Sequence, residues 1–367
     1  MPVQNFEPLN TNTDVTTTKT ILHEAIPLSG VLISGTYDSP DGTSFNIKNY
    51  THGMFQSVYD YPYLSSSANH IFDITIGYDE SSAFSGSSNV QNAKKINMYN
   101  QFAQVLLGYT GSNDEVRLFE SDLKLDKTGS MDSCVFLNFS RLLTKDQIKK
   151  GSFSIKLGTG SYAEPYNADW PGTAGDGGAI TLTDNSASAD GTGVANTIGG
   201  DYGVLFNNVE KSGTGLGLIF YQAGIIVLTS SIWNNTTDGE FRSGSLATDG
   251  KGLDTISGSF TGSAISASCD AIRHRIANIS FQNSTEINST IYFCRAPHNK
   301  FNYSTNPTYV SGSSIRVKSV AGDQPVSYIT TVGLYNAANE LLAVAKLSEP
   351  LKKTPENDMT IRVRLDY

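Results

Sequence analysis

The chain has 367 residues, 38% of them hydrophobic and only 17% charged, with a net charge of −9. Enough apolar material is present for a sizeable core, so wholesale disorder is excluded, and abundant Gly (34), Tyr (18) and Phe (17) point to many short strands joined by tight turns. The acidic balance argues against a nucleic-acid partner, because the densest basic clusters, Lys149–Lys150, Arg273–Arg275 and Lys352–Lys353, are far too short to displace phosphate counterions.

In chain order, residues 1–20 are polar, Thr-rich and without periodicity, which predicts an extended N-terminal arm, disordered alone or ordered against a neighbour. This opening also lacks the charged and apolar segments of a secretory leader, and no run approaches 18 apolar residues, so neither export nor a membrane span is expected. A β-rich domain is expected over 21–157. Its clearest strand is 70–78, where Ile71, Asp73, Thr75 and Gly77 alternate with Phe72, Ile74, Ile76 and Tyr78, the pattern of a half-buried strand. Over 91–107, Ile96, Tyr99, Ala103 and Leu106 recur at helical spacing with Phe102 in support, and Gly108 supplies a stop. Thr144-Lys-Asp-Gln147 has the form of a capping box and predicts a second helix over 145–150, followed by a strand at 152–157.

Residues 158–201 are rich in Gly, Ser and Asp and read as an insertion or mobile loop. A second β-rich domain, 202–367, opens with YGVLF at 202–206. Two buried strands bent at Gly224 follow within 216–232, then a polar Gly-rich stretch at 234–264 and strands near 272–281 and 287–295. It closes with a hairpin, 326–335 and 340–347 turning at Asn336-Ala-Ala-Asn339, and a final strand, 359–367, with Ile361, Val363, Leu365 and Tyr367 on one face. The fold class expected is mainly β with a few short helices: antiparallel β-sandwich-like domains with long Gly/Ser/Thr-rich loops.

Chemistry is hard to place on this pattern. The five histidines, His23, His52, His70, His274 and His298, are scattered without metal-site spacing, and no nucleophile elbow adjoins a base. Gly213-Thr-Gly215-Leu-Gly217 lacks the Lys-Ser/Thr ending of a phosphate loop. The Asp pairs Asp38 with Asp41 and Asp184 with Asp190 lack EF-hand spacing. Cys134, Cys269 and Cys294 are odd in number and far apart, which favours buried reduced thiols. No catalytic, cofactor or metal residue is expected. Tyr and Phe serve interfaces as well as cores, so the aromatic cluster Tyr50, Phe55, Tyr59, Tyr61 and Tyr63, with Tyr303, Tyr309 and Tyr367, supplies the candidate contact residues.

The segments SYITTVGLYNAANELLAVAKLSEPLKK (327–353) and TIRVRLDY (360–367) resemble virion structural proteins of T-even-type contractile-tailed phages of marine bacteria, cyanobacteria especially. NIKNYTHGMFQSVYDYPYLSSSANHIFDITIGY (46–78), KKINMYNQFAQVLLGY (94–109), FLNFSRLLTKDQIKKGSF (136–153) and FNYSTNPTYV (301–310) are similar to the same group. The resemblance implies a virion location and carries no known chemistry. It implies a non-enzymatic subunit at the tail baseplate or fibre-attachment region, with other virion proteins as homo- or hetero-oligomeric partners. A head, neck or collar component is an alternative, as is a module that binds host-surface glycan.

Overall fold

A computed structural model describes residues 6–28, 46–110, 115–158, 179–187, 192–207, 215–233, 256–273, 275–303, 310–311, 314–315, 320 and 322–367. The strands of the first half are β1 (Val15–Pro27), β2 (Ile47–Asn49), β3 (Gln56–Tyr59), β4 (His70–Tyr78), β5 (Phe119–Glu120), β6 (Ser130–Met131), β7 (Ser133–Phe139), β8 (Gln147–Ile148), β9 (Ser154–Gly158) and β10 (Ala179–Thr183). Those of the second half are β11 (Val194–Thr197), β12 (Gly200–Asn207), β13 (Gly217–Phe220), β14 (Ile225–Thr229), β15 (Ile276–Ala296), β16 (Val310–Ser311), β17 (Ser314–Ile315), β18 (Ser327–Tyr335), β19 (Leu341–Lys353) and β20 (Met359–Asp366). The described helices are α1 (Asn92–Leu106), α2 (Arg141–Thr144), α3 (Ile256–Gly262) and α4 (Ile265–Arg273). The fold is mainly β, as composition and alternation predict. The chain divides into two compact units, a larger one of Leu22–Thr285 and a smaller one of Met1–Ile21 with Glu286–Tyr367.

In the larger unit the ladder runs β15-β9-β10-β12-β13-β14-β7-β4-β3-β2, with β11 also on β12. β7 and β15 stand six places apart in that order, which in a flat sheet would be ~29 Å at the usual strand spacing. The rings of Phe139 on β7 and Phe281 on β15 nevertheless lie 5.3 Å apart. The ladder therefore folds over on itself and closes a sandwich. Ile74, Ile76, Leu137 and Leu228 meet Ile155, Leu182 and Ile279 in the enclosed core, and α3 and α4 add Phe260, Ile265, Cys269 and Ile272. The outer face of β7, β13 and β14 carries Phe136, Phe220 and Val227, which α1 covers with Tyr99, Ala103 and Leu106. At ~1.5–3 kcal/mol for each large apolar side chain fully buried, two such clusters are enough for a self-contained core.

That second covering layer corrects the expectation for β4, which is buried on both faces rather than one. A Cβ at Gly77 would stand 2.7 Å from both the Lys95 carbonyl oxygen and the Tyr99 nitrogen, so the α1 backbone rests directly on the strand there. The α1 face follows the expected spacing, with Lys95 buried in addition, and Gly108 closes the helix at φ +81° by donating to Ala103 and Gln104 carbonyls. The bend at Gly224 is also present, where φ +68° and a carbonyl bonded to Phe139 N turn β13 into β14.

In the smaller unit β15 pairs β20 from Ser289↔Asp366 to Ala296↔Met359. Ile361, Val363 and Leu365 point inward and Thr360, Arg362 and Arg364 outward, whereas Tyr367 is exposed rather than on the inward face. β18 and β19 form a separate two-stranded sheet. Its turn is the expected one: the Asn336 side-chain oxygen accepts from the Ala338 and Glu340 N–H groups, each at 2.9 Å, and Asn339 takes φ +63°. At the hairpin base Lys353 is fully buried and donates to Asn302 Oδ1 and the Thr354 carbonyl, each at 2.8 Å.

Several local expectations give way to tertiary pairing. The helix expected at 145–150 is displaced: Thr144 ends α2 instead of capping a helix, Lys145 takes φ +54°, and Gln147–Ile148 pair with β15. Within 158–201, β10 pairs β9 and β11 pairs β12, so the described parts belong to the sheet rather than to a loop. The arm is strand from Val15 onward. Arg273 ends α4 and Arg275 is fully buried, which removes both from an exposed strand; His274 lies outside the described residues. The two strands expected at 272–281 and 287–295 are one, β15. Contacts divide the chain after Ile21 and after Thr285.

Gly77→Ala is expected to cost about 1–3 kcal/mol because helix backbone has to move. Gly262→Ala, whose new methyl would meet nothing within 4 Å, is expected to stabilise by about 0.4–1 kcal/mol. Urea denaturation midpoints of the two variants, measured side by side, check the pair.

Candidate interaction surface

Of the contact residues expected from sequence, the structure brings the first five into two neighbouring groups. Gly53, at φ +63° with its N–H on the Tyr50 carbonyl, folds 50–55 back so that Tyr50, His52 and Phe55 pack with centroids 4.8–5.1 Å apart. Lys48 Nζ stands 4.9 Å over the Tyr50 ring. Tyr59 meets Tyr63 at 6.3 Å and His70 at 5.5 Å, while Tyr61 projects outward, 58% exposed. Tyr50, Phe55, Tyr59, Tyr63 and His70 are half-buried, and His52 is exposed. Tyr303 and Tyr367 are exposed in the smaller unit, and Tyr309 lies outside the described residues.

Beneath these rings Ser57, Asp73 and His70 come together. Ser57 Oγ donates to Asp73 Oδ1 at 2.5 Å, and His70 Nε2 lies 2.8 Å from the same oxygen. In a nucleophilic triad the imidazole stands between hydroxyl and carboxylate to take the hydroxyl proton. Here the carboxylate stands between, so the imidazole does not reach the Ser57 hydroxyl, and the group ties β3 to β4 as a polar clasp.

The other buried titratable groups are likewise engaged in structure. Asp184 accepts from the Gly151 and Phe153 N–H groups, each at 2.8 Å, and from the Tyr221 hydroxyl at 3.1 Å. Burial pushes its carboxyl up to about 6 against the downward pull of those donors. Lys95 Nζ donates to the Phe260 carbonyl and, at 2.8 Å, to that of Ser263, closing the end of α3; burial lowers its ammonium to about 8. Cys134 and Cys269 are buried thiols, both pushed up by desolvation, and Cys294 is half-buried.

Among the described residues no three or more His, Cys, Asp or Glu side chains come together as a metal site would require. Asp38, Asp41, Asp190 and Gly213 lie outside those residues, while Gly215 and Gly217 approach backbone too closely to admit a side chain. A groove of about 440 Å³ lies between Ala25–Pro27, 149–152 and Ser280–Gln282. Its lysines are already engaged, Lys149 with Gln282 Oε1 at 2.9 Å and Lys150 with Asp201 at 2.5 Å. No helix among the described residues is long and apolar enough to cross a membrane.

The least satisfied surface belongs to the smaller unit. Both apolar core clusters consist of residues of the larger unit. Among its described residues the smaller unit buries four apolar side chains, Ile291, Ala296, Leu334 and Val363, and leaves twelve large ones exposed. The hairpin contributes six of those twelve: Tyr328 (62%), Tyr335 (47%), Leu341 (51%), Leu342 (68%), Val344 (52%) and Leu351 (38%). Phe6 packs edge-on against Tyr335 at 5.0 Å. Sequence reasoning selected other aromatic residues and passed over these six, four of which are aliphatic. The available signal was Leu341-Leu342-Ala343-Val344-Ala345, which is apolar on both strand faces and so exposes one of them in a two-stranded hairpin.

No protein-family model matches the chain, and neither does any curated protein or solved structure.

The Asp184 carboxyl makes stability depend on pH. Between about 3.8 and 6 the folded chain holds a proton that the unfolded chain has released. The stabilisation from this group is therefore complete below its unfolded value and is lost as pH rises through about 6. Asp184→Asn turns an amide N–H₂ toward donors and is expected to cost about 1–3 kcal/mol. The gap between wild type and variant should narrow between pH 4 and 7 in urea titrations; a gap that is constant or widens refutes the assignment.

Proposed function

We propose that this chain is a structural subunit of a tailed-bacteriophage virion, at the tail baseplate or fibre-attachment region, and that it acts through protein–protein contacts. The observation that carries the reading is the inverted balance of the smaller unit, with four apolar side chains buried and twelve exposed. Large apolar side chains left exposed in this number are costly in a free monomer and suit a surface that a partner covers. The resemblance of 327–353 and 360–367 to virion structural proteins falls on this same unit. The buried acids, bases and thiols described above are each engaged in local structure, and the reading calls on none of them for catalysis.

β1 adds a second means of attachment. Among the described strands it pairs with β15 alone, and most of its 13 residues are exposed. Lys19, His23, Glu24 and Pro27 punctuate it, which is how soluble proteins guard an edge strand until the intended partner arrives.

Gold-labelled antibody on intact and disrupted virions is expected to mark the tail end, and a chain missing from purified particles would defeat the proposal. The double variant Leu342→Lys/Val344→Lys changes only exposed positions and is expected to keep wild-type stability within about 0.5 kcal/mol. It should nonetheless fail to enter particles in a complementation assay. Normal incorporation would remove the hairpin surface from the assembly interface.

A further inference from the structure

We propose that Lys353 and Asn302 are the two halves of an intrachain cross-link, an amide joining the lysine Nζ to the asparagine Cγ, with Asp358 carrying the proton. The link ties the base of the hairpin to the segment that follows β15, and this chain's own side chains form it.

Lys353 is the last residue of β19, Asn302 lies beyond the end of β15, and Asp358 directly precedes β20. The smaller unit thus brings an amine, a carboxamide and a carboxylate to one place. Lys353 is fully buried. A charged side chain taken out of water needs an opposite charge or a full set of hydrogen bonds. The acceptors of this Nζ are all neutral oxygens: Asn302 Oδ1 and the Thr354 carbonyl, each at 2.8 Å, and the His298 carbonyl at 3.4 Å. Burial without a paired anion favours the uncharged amine. Desolvation lowers the Lys353 ammonium against the upward pull of Asp358. The uncharged amine is the form that acts as a nucleophile.

The His298 backbone holds the three groups together. Its carbonyl accepts from Asn302 Nδ2 at 2.6 Å as well as from Lys353, and its N–H donates to Asp358 Oδ1 at 2.5 Å. The Asn302 carboxamide is therefore fixed at both ends, with the amine on its oxygen. Nζ stands one covalent bond away from the carbon it attacks, and a turn about the Asn302 Cβ–Cγ bond presents the face of that carbon. Contact held in this way replaces the encounter that makes the reaction of free amines with amides slow.

In the reaction the Nζ lone pair forms a bond to Cγ and the Cγ–Nδ2 bond breaks. One Nζ proton passes by way of the Asp358 carboxylate to Nδ2, which departs as ammonia. One amine and one primary amide become one secondary amide and ammonia, with no change of oxidation state. The link spans 51 positions of chain, and closing a long loop restricts the unfolded chain more than closing a short one.

Intact-mass spectrometry of the full chain, purified and held at pH 8, tests this. Wild type is expected to be lighter than its sequence by one ammonia, and a tryptic digest to contain the Asn302 and Lys353 peptides joined. Asn302→Ala is expected to return the chain to its full sequence mass. Asn302→Asp keeps the shape of the side chain and is expected to link with loss of water instead. Asp358→Asn changes an exposed side chain, so the fold is kept, and linkage is expected to slow about a hundredfold. A wild-type chain at full sequence mass overturns the inference, and so does an ammonia loss that maps to a cyclised asparagine rather than to joined peptides. Linkage at the wild-type rate in Asp358→Asn overturns the part given to that carboxylate.

Discussion

β15 is the constraint on which the described structure depends. Along one edge it meets β1, with Leu28 N on the Ile279 carbonyl at 2.9 Å and Phe293 N on the Asp14 carbonyl at 2.8 Å. Along the other it meets β9, then β8, then β20. Within each unit, backbone groups paired on both sides leave the strand little freedom to slip, so it fixes the register of its neighbours there. In the larger unit it sets Phe281 against Phe139 and Phe153 and thereby closes the sandwich. In the smaller unit it provides the ladder for β20.

The two units solve the burial problem in different ways. The larger unit covers both faces of its central strands, one with the folded-over sheet and α3–α4, the other with α1. Its polar intrusions, Lys95 and Asp184, are matched by carbonyls and N–H groups, so each serves as a local staple at a tolerable cost in desolvation. Among the described residues of the smaller unit no second layer covers the hairpin, and six of its large apolar side chains are exposed. A unit built in this way gains more from a neighbour than from its own interior, which is the physical basis of the assembly role proposed above.

The aromatic cluster that first draws attention in the sequence is largely an internal matter. Tyr50 stacks on His52, Phe55 lies tilted against both, and Tyr59 meets Tyr63 and His70, so these rings contact one another within the larger unit. Aromatic density alone does not distinguish a contact surface from a well-packed turn, because both use the same rings. Exposure distinguishes them, and it points to aliphatic residues of the hairpin.

By itself the sequence determined the mainly β class, the α1 helix with its Gly108 stop, the β13–β14 bend at Gly224 and the Asn336–Asn339 turn. In each case the cause lies within a few residues: side-chain period, a glycine tolerating positive φ, or an Asn oxygen reaching nearby N–H groups. Tertiary structure decided the rest. Only pairing with β15 turned Gln147–Ile148 from an expected helix into a strand, and only the ladder carried β15 through its polar middle, where Asn283 donates to the Leu143 carbonyl at 2.8 Å. Which face of the hairpin is bare was also undecided locally, since that depends on whether a second layer lies over it, and a layer is supplied by distant parts of a chain or by another molecule.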